Sequence, residues 1–186
     1  MVERDTATLR PRALFPWGEG VYFLAMGDQL LTQSADDRRR YDLEGVGSIR
    51  RMSLFSRTAL LLPADGEPFT AQSRGLLSGE SEAVAAGGEQ VGEYTHPDLL
   101  TRSGRVRWHE RTLRLRTTPV LVSRFELIED GAALLEVQAT GWGHPPAKVT
   151  VRDASDRGLL LFALWLAQGF VDHDSGRGRT GAGAPT

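Results

Sequence analysis

The feature that most constrains the fold is an apolar run near the C-terminus, at residues 158–171. It reads Gly-Leu-Leu-Leu-Phe-Ala-Leu-Trp-Leu-Ala-Gln-Gly-Phe-Val, and its one polar side chain is Gln168. A helix that is apolar on every side must lie in a membrane or be enclosed by protein. At about 1.5 Å per residue the run spans about 21 Å, which is shorter than the roughly 30 Å hydrocarbon core of a bilayer. The run therefore predicts a helix enclosed by the rest of the chain.

The residues around this run set the predicted domain boundaries. Asp153 or Asp156 is expected to cap the helix, because an aspartate oxygen accepts a hydrogen bond from a free N–H of the first turn. We expect the helix at 156–171, with Asp172 at its end. We expect a folded domain at 20–172, and a tail at 173–186 that is too poor in large apolar residues to be ordered. A lead-in at 1–19 precedes the domain.

Composition limits the function classes. The chain has 186 residues, 40% of them hydrophobic, which suits one domain with a buried core. It has no Cys, which excludes disulfides, thiolate metal sites and a cysteine nucleophile. The net charge of −2 gives no general attraction to nucleic acid, so we expect no nucleic-acid partner. No basic segment leads into an apolar stretch at the N-terminus, and we therefore expect no signal peptide.

Strand-like segments dominate before the apolar run, and turn sequences separate them. The segments are 21–26, 29–33, 41–43, 59–62, 67–73, 106–109, 112–117, 120–127, 133–140 and 148–152. Asp-Gly turns, which readily take positive φ, lie at 63–66 and 129–131, and a further turn is expected at Gly27-Asp28. We expect mostly loop at 75–98, which is rich in Gly, Ser, Ala and Glu. Antiparallel hairpins followed by one apolar helix predict an α+β domain, an antiparallel barrel or curved sheet around the helix.

Several of these segments resemble the tubby C-terminal-like superfamily, which includes phospholipid scramblases and plant LURP-one-related proteins. The matching segments are 60–69 (Leu-Leu-Leu-Pro-Ala-Asp-Gly-Glu-Pro-Phe), 125–131 (Phe-Glu-Leu-Ile-Glu-Asp-Gly) with 134–137, and 147–151 (Ala-Lys-Val-Thr-Val) leading into the apolar helix. The resemblance covers roughly residues 20–172 and lies in the order of the elements. It implies a barrel of about twelve strands around a central helix, although fewer than twelve strands are identified directly.

The resemblance also implies a class of function. In this superfamily tubby binds phosphoinositides, scramblases are tied to phospholipid movement, and many bacterial and plant members have no known activity. This chain has no calcium-binding motif of the scramblase kind, and without Cys it cannot be palmitoylated. It therefore resembles the small bacterial members most.

A basic cluster is the strongest candidate site. The candidate ligand-binding residues are Arg105, Arg107, His109, Arg111, Arg114 and Arg116. Strand alternation predicts Arg105, Arg107 and His109 on one face of their strand. It places Arg114 and Arg116 on the face that Leu113 and Leu115 do not occupy. Two such strands side by side would present guanidinium groups that can grip phosphate through two hydrogen bonds each.

Other interpretations of the charged and aromatic residues stay open. The basic cluster could instead pair with upstream acids, which are Glu80, Glu82, Glu89, Glu93 and Asp98. Trp108, Trp142 and Trp165 are expected in the core or at the barrel rim, with an exposed anchor as the alternative for Trp142. The four His residues have no metal-site spacing and no nucleophile elbow occurs, so we predict no metal, cofactor or catalytic residue.

We therefore expect a non-catalytic binding or scaffold domain that recognises an anionic lipid or phosphate-bearing ligand through the basic cluster. The expected location is cytoplasmic, with peripheral association at a membrane and no transmembrane segment. One alternative is a regulatory protein that binds a partner through an exposed apolar patch around Trp17 or Trp142. Another is a small cytosolic enzyme with its site at the barrel mouth.

Overall fold

The structure, a computed structural model, describes residues 27–53, 56–74, 79–96, 103–118, 123–144 and 146–178. These residues form a closed antiparallel barrel of twelve strands and one helix. The strands are β1 (Gly27–Gln33), β2 (Arg40–Leu43), β3 (Gly47–Arg51), β4 (Thr58–Pro63), β5 (Phe69–Arg74), β6 (Glu80–Ala85), β7 (Gln90–Thr95), β8 (Gly104–Trp108), β9 (Arg111–Thr118), β10 (Arg124–Glu129), β11 (Ala132–Gln138) and β12 (Ala147–Val151), and the helix is α1 (Arg157–Gly178).

Every strand pairs with its neighbours in the sequence, and the first strand closes the barrel against the last. Gly27 lies opposite Val151 of β12, and Thr32 lies opposite Asp42 of β2. Closure leaves no free sheet edge that could pair with another chain. The predicted fold class, an α+β antiparallel barrel of about twelve strands, is confirmed.

Helix α1 fills the barrel. All residues from Leu159 to Gln168 are buried, and the inward-facing residues of the strands pack around them in one hydrophobic core. The apolar run is therefore enclosed by protein, as its length predicted. Within the described residues, no helix combines the length and the apolar character needed to cross a membrane.

Asp156 fixes the start of the helix. Its Oδ1 accepts a hydrogen bond from the Leu159 N–H at 3.0 Å, which caps the first turn. Its Oδ2 accepts a second hydrogen bond from the Trp108 indole Nε1 at 2.8 Å, so the cap also attaches the helix to β8. Asp153, the other candidate for the cap, instead accepts the Ser155 N–H at 2.8 Å.

The far part of the helix is held by the connection between β11 and β12. Gln168 Oε1 accepts the Gly141 N–H at 2.7 Å, and Asp172 Oδ1 accepts the Trp142 N–H at 2.9 Å. The prediction that the helix ends at Asp172 is wrong, because α1 continues to Gly178. Asp172 acts as an acceptor for the neighbouring loop, and burial raises the pKa of its carboxyl group.

The segment predicted as loop at 75–98 contains two strands, β6 and β7. Its small residues suit the inside of the barrel: a Cβ on Gly92 would lie 2.5 Å from Trp108 Cε3, so glycine makes room for the indole. Strand β3 is also additional to the predicted segments. Gly27 and Asp28 lie within β1, which corrects the turn predicted there. The predicted lead-in at 1–19, the strand at 21–26 and residues 179–186 of the tail lie outside the described residues.

Candidate anion-binding face on the barrel wall

The two basic strands are neighbours in the barrel. On β8, Arg105 and Arg107 are exposed while Val106 is fully buried between them. On β9, Arg114 and Arg116 are exposed in the same alternating manner. The predicted alternation is confirmed for these four arginines, which lie on the outer wall of β8 and β9.

Two of these four arginines already have acidic partners. Arg107 Nη2 lies 2.7 Å from Glu93 Oε2 on β7, and Arg116 Nη2 lies 3.2 Å from Glu126 Oε2 on β10. Exposed ion pairs of this kind contribute little to stability, typically about 0.2–1 kcal/mol. Their effect is to satisfy the charge of both arginines within the barrel wall.

Arg111, at the start of β9, makes ion pairs with two acids of the fold. It donates two hydrogen bonds to the Glu129 carboxylate, at 2.8 and 2.6 Å, and its Nη1 lies 3.3 Å from Asp156 Oδ2. The hydrogen bonds from Arg111 hold the pKa of Glu129 below its usual range. Arg111 therefore links β9 and β10 to the residue that caps the central helix.

His109 lies in the turn after β8 rather than on the strand face. Its φ is 50°, an uncommon conformation for a residue other than glycine. Its N–H donates to the Val91 carbonyl at 2.8 Å, and its ring contacts the edge of the Trp108 indole. His109 and Arg107 both line a small depression on the surface.

Arg105 and Arg114 lie directly opposite each other in the β8–β9 register. Within the described residues, neither of them takes part in an ion pair or hydrogen bond through its side chain. Their other register partners are uncharged, since Thr95 lies beside Arg105 and Ile128 lies beside Arg114. Side chains directly opposite on one face have Cβ atoms about 4.5–5.5 Å apart, and like charges there are destabilising.

The strand registers contain three other directly opposed pairs of like charge, and all three are compensated. The pairs are Glu82 with Glu93, Glu126 with Glu136, and Arg40 with Arg50. The partners are Arg74 and Arg107 for the first, Arg116, Arg124 and Arg152 for the second, and Asp42 and Asp37 for the third. Among the described registers, the pair of Arg105 and Arg114 stands out because no described residue compensates it.

The compensation of the other pairs is visible in the pKa of their acids. Hydrogen bonds from Arg152 and Arg124 lower the pKa of Glu136, and the one from Arg74 lowers the pKa of Glu82. These carboxylates stay charged to lower pH because arginines surround them. Within the described residues, the opposed like charges of the wall are therefore paired, with Arg105 and Arg114 as the exception.

Within the described residues, the proposed pairing of the basic cluster with the upstream acids holds for one contact, and Asp98 lies outside those residues. Arg107 pairs with Glu93, whereas Arg111 and Arg116 pair with Glu129 and Glu126 on β10. The reason is the meander topology, which places β9 beside β10 as well as β8.

The three tryptophans of the strands, the final loop and the helix are buried. Trp108, Trp142 and Trp165 are 3%, 8% and 6% exposed, which confirms their assignment to the core and rim. The alternative of an exposed anchor at Trp142 is wrong. Trp17, the other residue of the suggested apolar patch, lies outside the described residues.

A sequence signal exists for the opposed arginines. The β8–β9 connection consists of two residues, and Trp108 lies opposite Arg111. A two-residue hairpin fixes the register, and stepping back from it places residue 105 opposite residue 114. What the sequence could not show is which arginines the neighbouring strands neutralise.

No family model, curated protein or solved structure matches the chain. The site is therefore interpreted from its own geometry. Within the described ranges, no group of three His, Asp or Glu side chains is arranged to hold a metal ion.

Proposed function

We propose that the protein is a non-catalytic binding domain that holds an anionic, phosphate-bearing ligand on its outer wall, at Arg105 and Arg114. The observation that carries the proposal is the opposed register of these two arginines without an acidic partner among the described residues. A bound anion would supply the opposite charge that each of the three other opposed pairs receives from its neighbours.

The chemistry of the two side chains suits phosphate. A guanidinium group stays charged at any physiological pH and presents its N–H donors as a planar fork, which matches two phosphate oxygens. Two forks on adjacent strands can hold one group between them. The barrel keeps their backbones in register, since Val106 beneath the site is fully buried.

We also propose that the chain is a member of the tubby C-terminal-like superfamily, in a cytoplasmic setting with peripheral contact to a membrane. A closed barrel of twelve strands around one helix is the fold that the resemblance implied. An anionic lipid headgroup is then one source of the phosphate, and the convex wall can approach a membrane surface without insertion.

Sedimentation with anionic vesicles tests the proposal. The test variant is Arg105→Gln with Arg114→Gln. The matched control is Arg40→Gln with Arg50→Gln, which changes the net charge equally at another opposed arginine pair whose acids Asp42 and Asp37 are already present.

We expect the wild type and the control to bind phosphate-bearing vesicles and the test variant to lose binding. Equal loss in both variants would reduce the interaction to net charge and contradict the site. Absence of binding in the wild type, both to vesicles and to soluble phosphate compounds, would overturn the proposed function.

A further inference from the structure

Three pairs of opposed like charges on the wall are each neutralised by side chains of the opposite charge. The pair of Arg40 and Arg50 is matched by two carboxylates. The pair of Glu82 and Glu93 is matched by two guanidinium groups, and the pair of Glu126 and Glu136 by three. Each pair thus receives at least two opposite charges. Arg105 and Arg114 receive none from the described residues.

We propose that this site selects a dianionic phosphate monoester over a phosphate diester. The inference rests on the proposed function and adds the class of ligand. One group must reach both guanidinium groups, because opposed side chains on adjacent strands start only about 5 Å apart. A terminal phosphate monoester carries about −1.5 to −2 charges at pH 7 and offers three acceptor oxygens.

A phosphate diester satisfies this requirement only in part. It carries one charge and has two free oxygens, enough for one guanidinium fork, so the second arginine stays uncompensated. The register neighbours of the arginine pair, Thr95 and Ile128, are uncharged, so they do not alter the charge that the ligand must supply. Two acids in the adjacent rows of the register, Glu93 and Glu126, pair with Arg107 and Arg116.

The first experiment measures binding of soluble probes by calorimetry, with methyl phosphate as the dianionic monoester and dimethyl phosphate as the diester. We expect methyl phosphate to bind the wild type at least about tenfold more tightly, since a charge-assisted hydrogen bond is worth more than a factor of ten. Arg105→Gln or Arg114→Gln alone should remove this preference. Arg107→Gln, whose side chain already pairs with Glu93, should keep it.

The second experiment separates a lipid source from a soluble one. Vesicles that contain phosphatidic acid, a monoester, are compared with vesicles that contain phosphatidylglycerol, a diester, at equal mole fraction. Preference for phosphatidic acid together with phosphate binding supports a monoester group at the end of a lipid. Preference for soluble phosphate with no vesicle binding supports a soluble monoester.

The pH dependence gives a further readout. The second pKa of a phosphate monoester is about 6, so affinity for methyl phosphate should fall between pH 7.5 and 5.5 while affinity for dimethyl phosphate stays constant. His96 follows Thr95 in the chain and is the same in both measurements, so any contribution from it would appear with both probes. Equal affinity for monoester and diester would overturn this inference and leave the proposed function intact. Failure of both probes and both vesicles would overturn both proposals.

Discussion

Two places on the barrel wall have the same geometry and different surroundings. Arg40 faces Arg50 across β2 and β3, and Arg105 faces Arg114 across β8 and β9. Asp42 and Asp37 neutralise the first pair, at 2.8 and 3.0 Å, whereas no described residue neutralises the second. The difference shows that an arginine pair can be a structural element in one place and a candidate site in another. The two pairs contain the same number of arginines and differ in whether acidic side chains lie beside them.

The largest expected effect is the loss of stability caused by a charged residue in the hydrophobic core, which supports both arginine pairs. Leu161→Asp should unfold the whole domain, because Leu161 is fully buried on the central helix and the substitution buries a charge without a partner. We expect a loss of more than about 4 kcal/mol in the free energy of unfolding, which urea denaturation would measure.

Leu30→Asp is the matched control for this variant, because Leu30 is 53% exposed on β1. It should change stability by less than about 0.5 kcal/mol. If the Leu161 variant stays folded and loses only membrane attachment, the central position of the helix is contradicted.

The next largest effect is expected from a charge reversal at the candidate site. Arg114→Glu places a carboxylate opposite Arg105, so the pair becomes an internal ion pair like those elsewhere on the wall. Phosphate binding should disappear while the free energy of unfolding rises by about 0.2–1 kcal/mol. A variant that loses stability as well as binding would show that the opposed arginines do not repel each other in the free protein.

Removing the acids around Arg40 and Arg50 should give this pair the surroundings of Arg105 and Arg114. Asp37→Asn combined with Asp42→Asn removes the counter-ions of Arg40 and Arg50 and should create a second phosphate-binding site on β2 and β3. Calorimetry should then find two sites for inorganic phosphate where the wild type has one. A folded variant without the additional site would mean that β8 and β9 contribute more than an uncompensated pair.

The smallest expected effect is a difference between the two arginine pairs in how stability depends on pH. The N–H of Arg39 is the main cause that lowers the pKa of Asp37 below its ordinary value of 3.8. A lowered carboxyl pKa stabilises the fold above the unfolded value, and that stability is lost as pH falls through the folded value. The stability difference between wild type and Arg50→Gln should therefore change only below about pH 3.8. For Arg114→Gln the difference should stay constant, as denaturation curves at several pH values can test.

Much of the fold could be predicted because a buried helix, its cap and tight turns each require particular residue types at adjacent positions in the sequence. The apolar run and Asp156 indicated the central helix and its cap, and the Asp-Gly turns indicated several hairpins. Strands β6 and β7 gave no such signal, because small residues such as Gly92, which leaves room for the Trp108 indole, weaken the apolar–polar alternation. That requirement arises from residues distant in the sequence.

The candidate site could be predicted only in part, for a related reason. Alternation along β8 and β9 correctly placed Arg105, Arg107, Arg114 and Arg116 on the outside. Their pairing depends on strands that approach from both sides, which no local pattern contains. Arg111 shows this clearly, since its partners are Glu129 and the helix cap Asp156.

The central claim is that Arg105 and Arg114 form the anion site and that Arg40 and Arg50 do not. Its most direct test is an NMR titration that follows the side-chain Nε–Hε resonances of all arginines as inorganic phosphate is added. Our account predicts saturable shifts for Arg105 and Arg114, with the resonances of Arg40 and Arg50 unchanged. Equal shifts at both pairs, or none at Arg105 and Arg114, would contradict it.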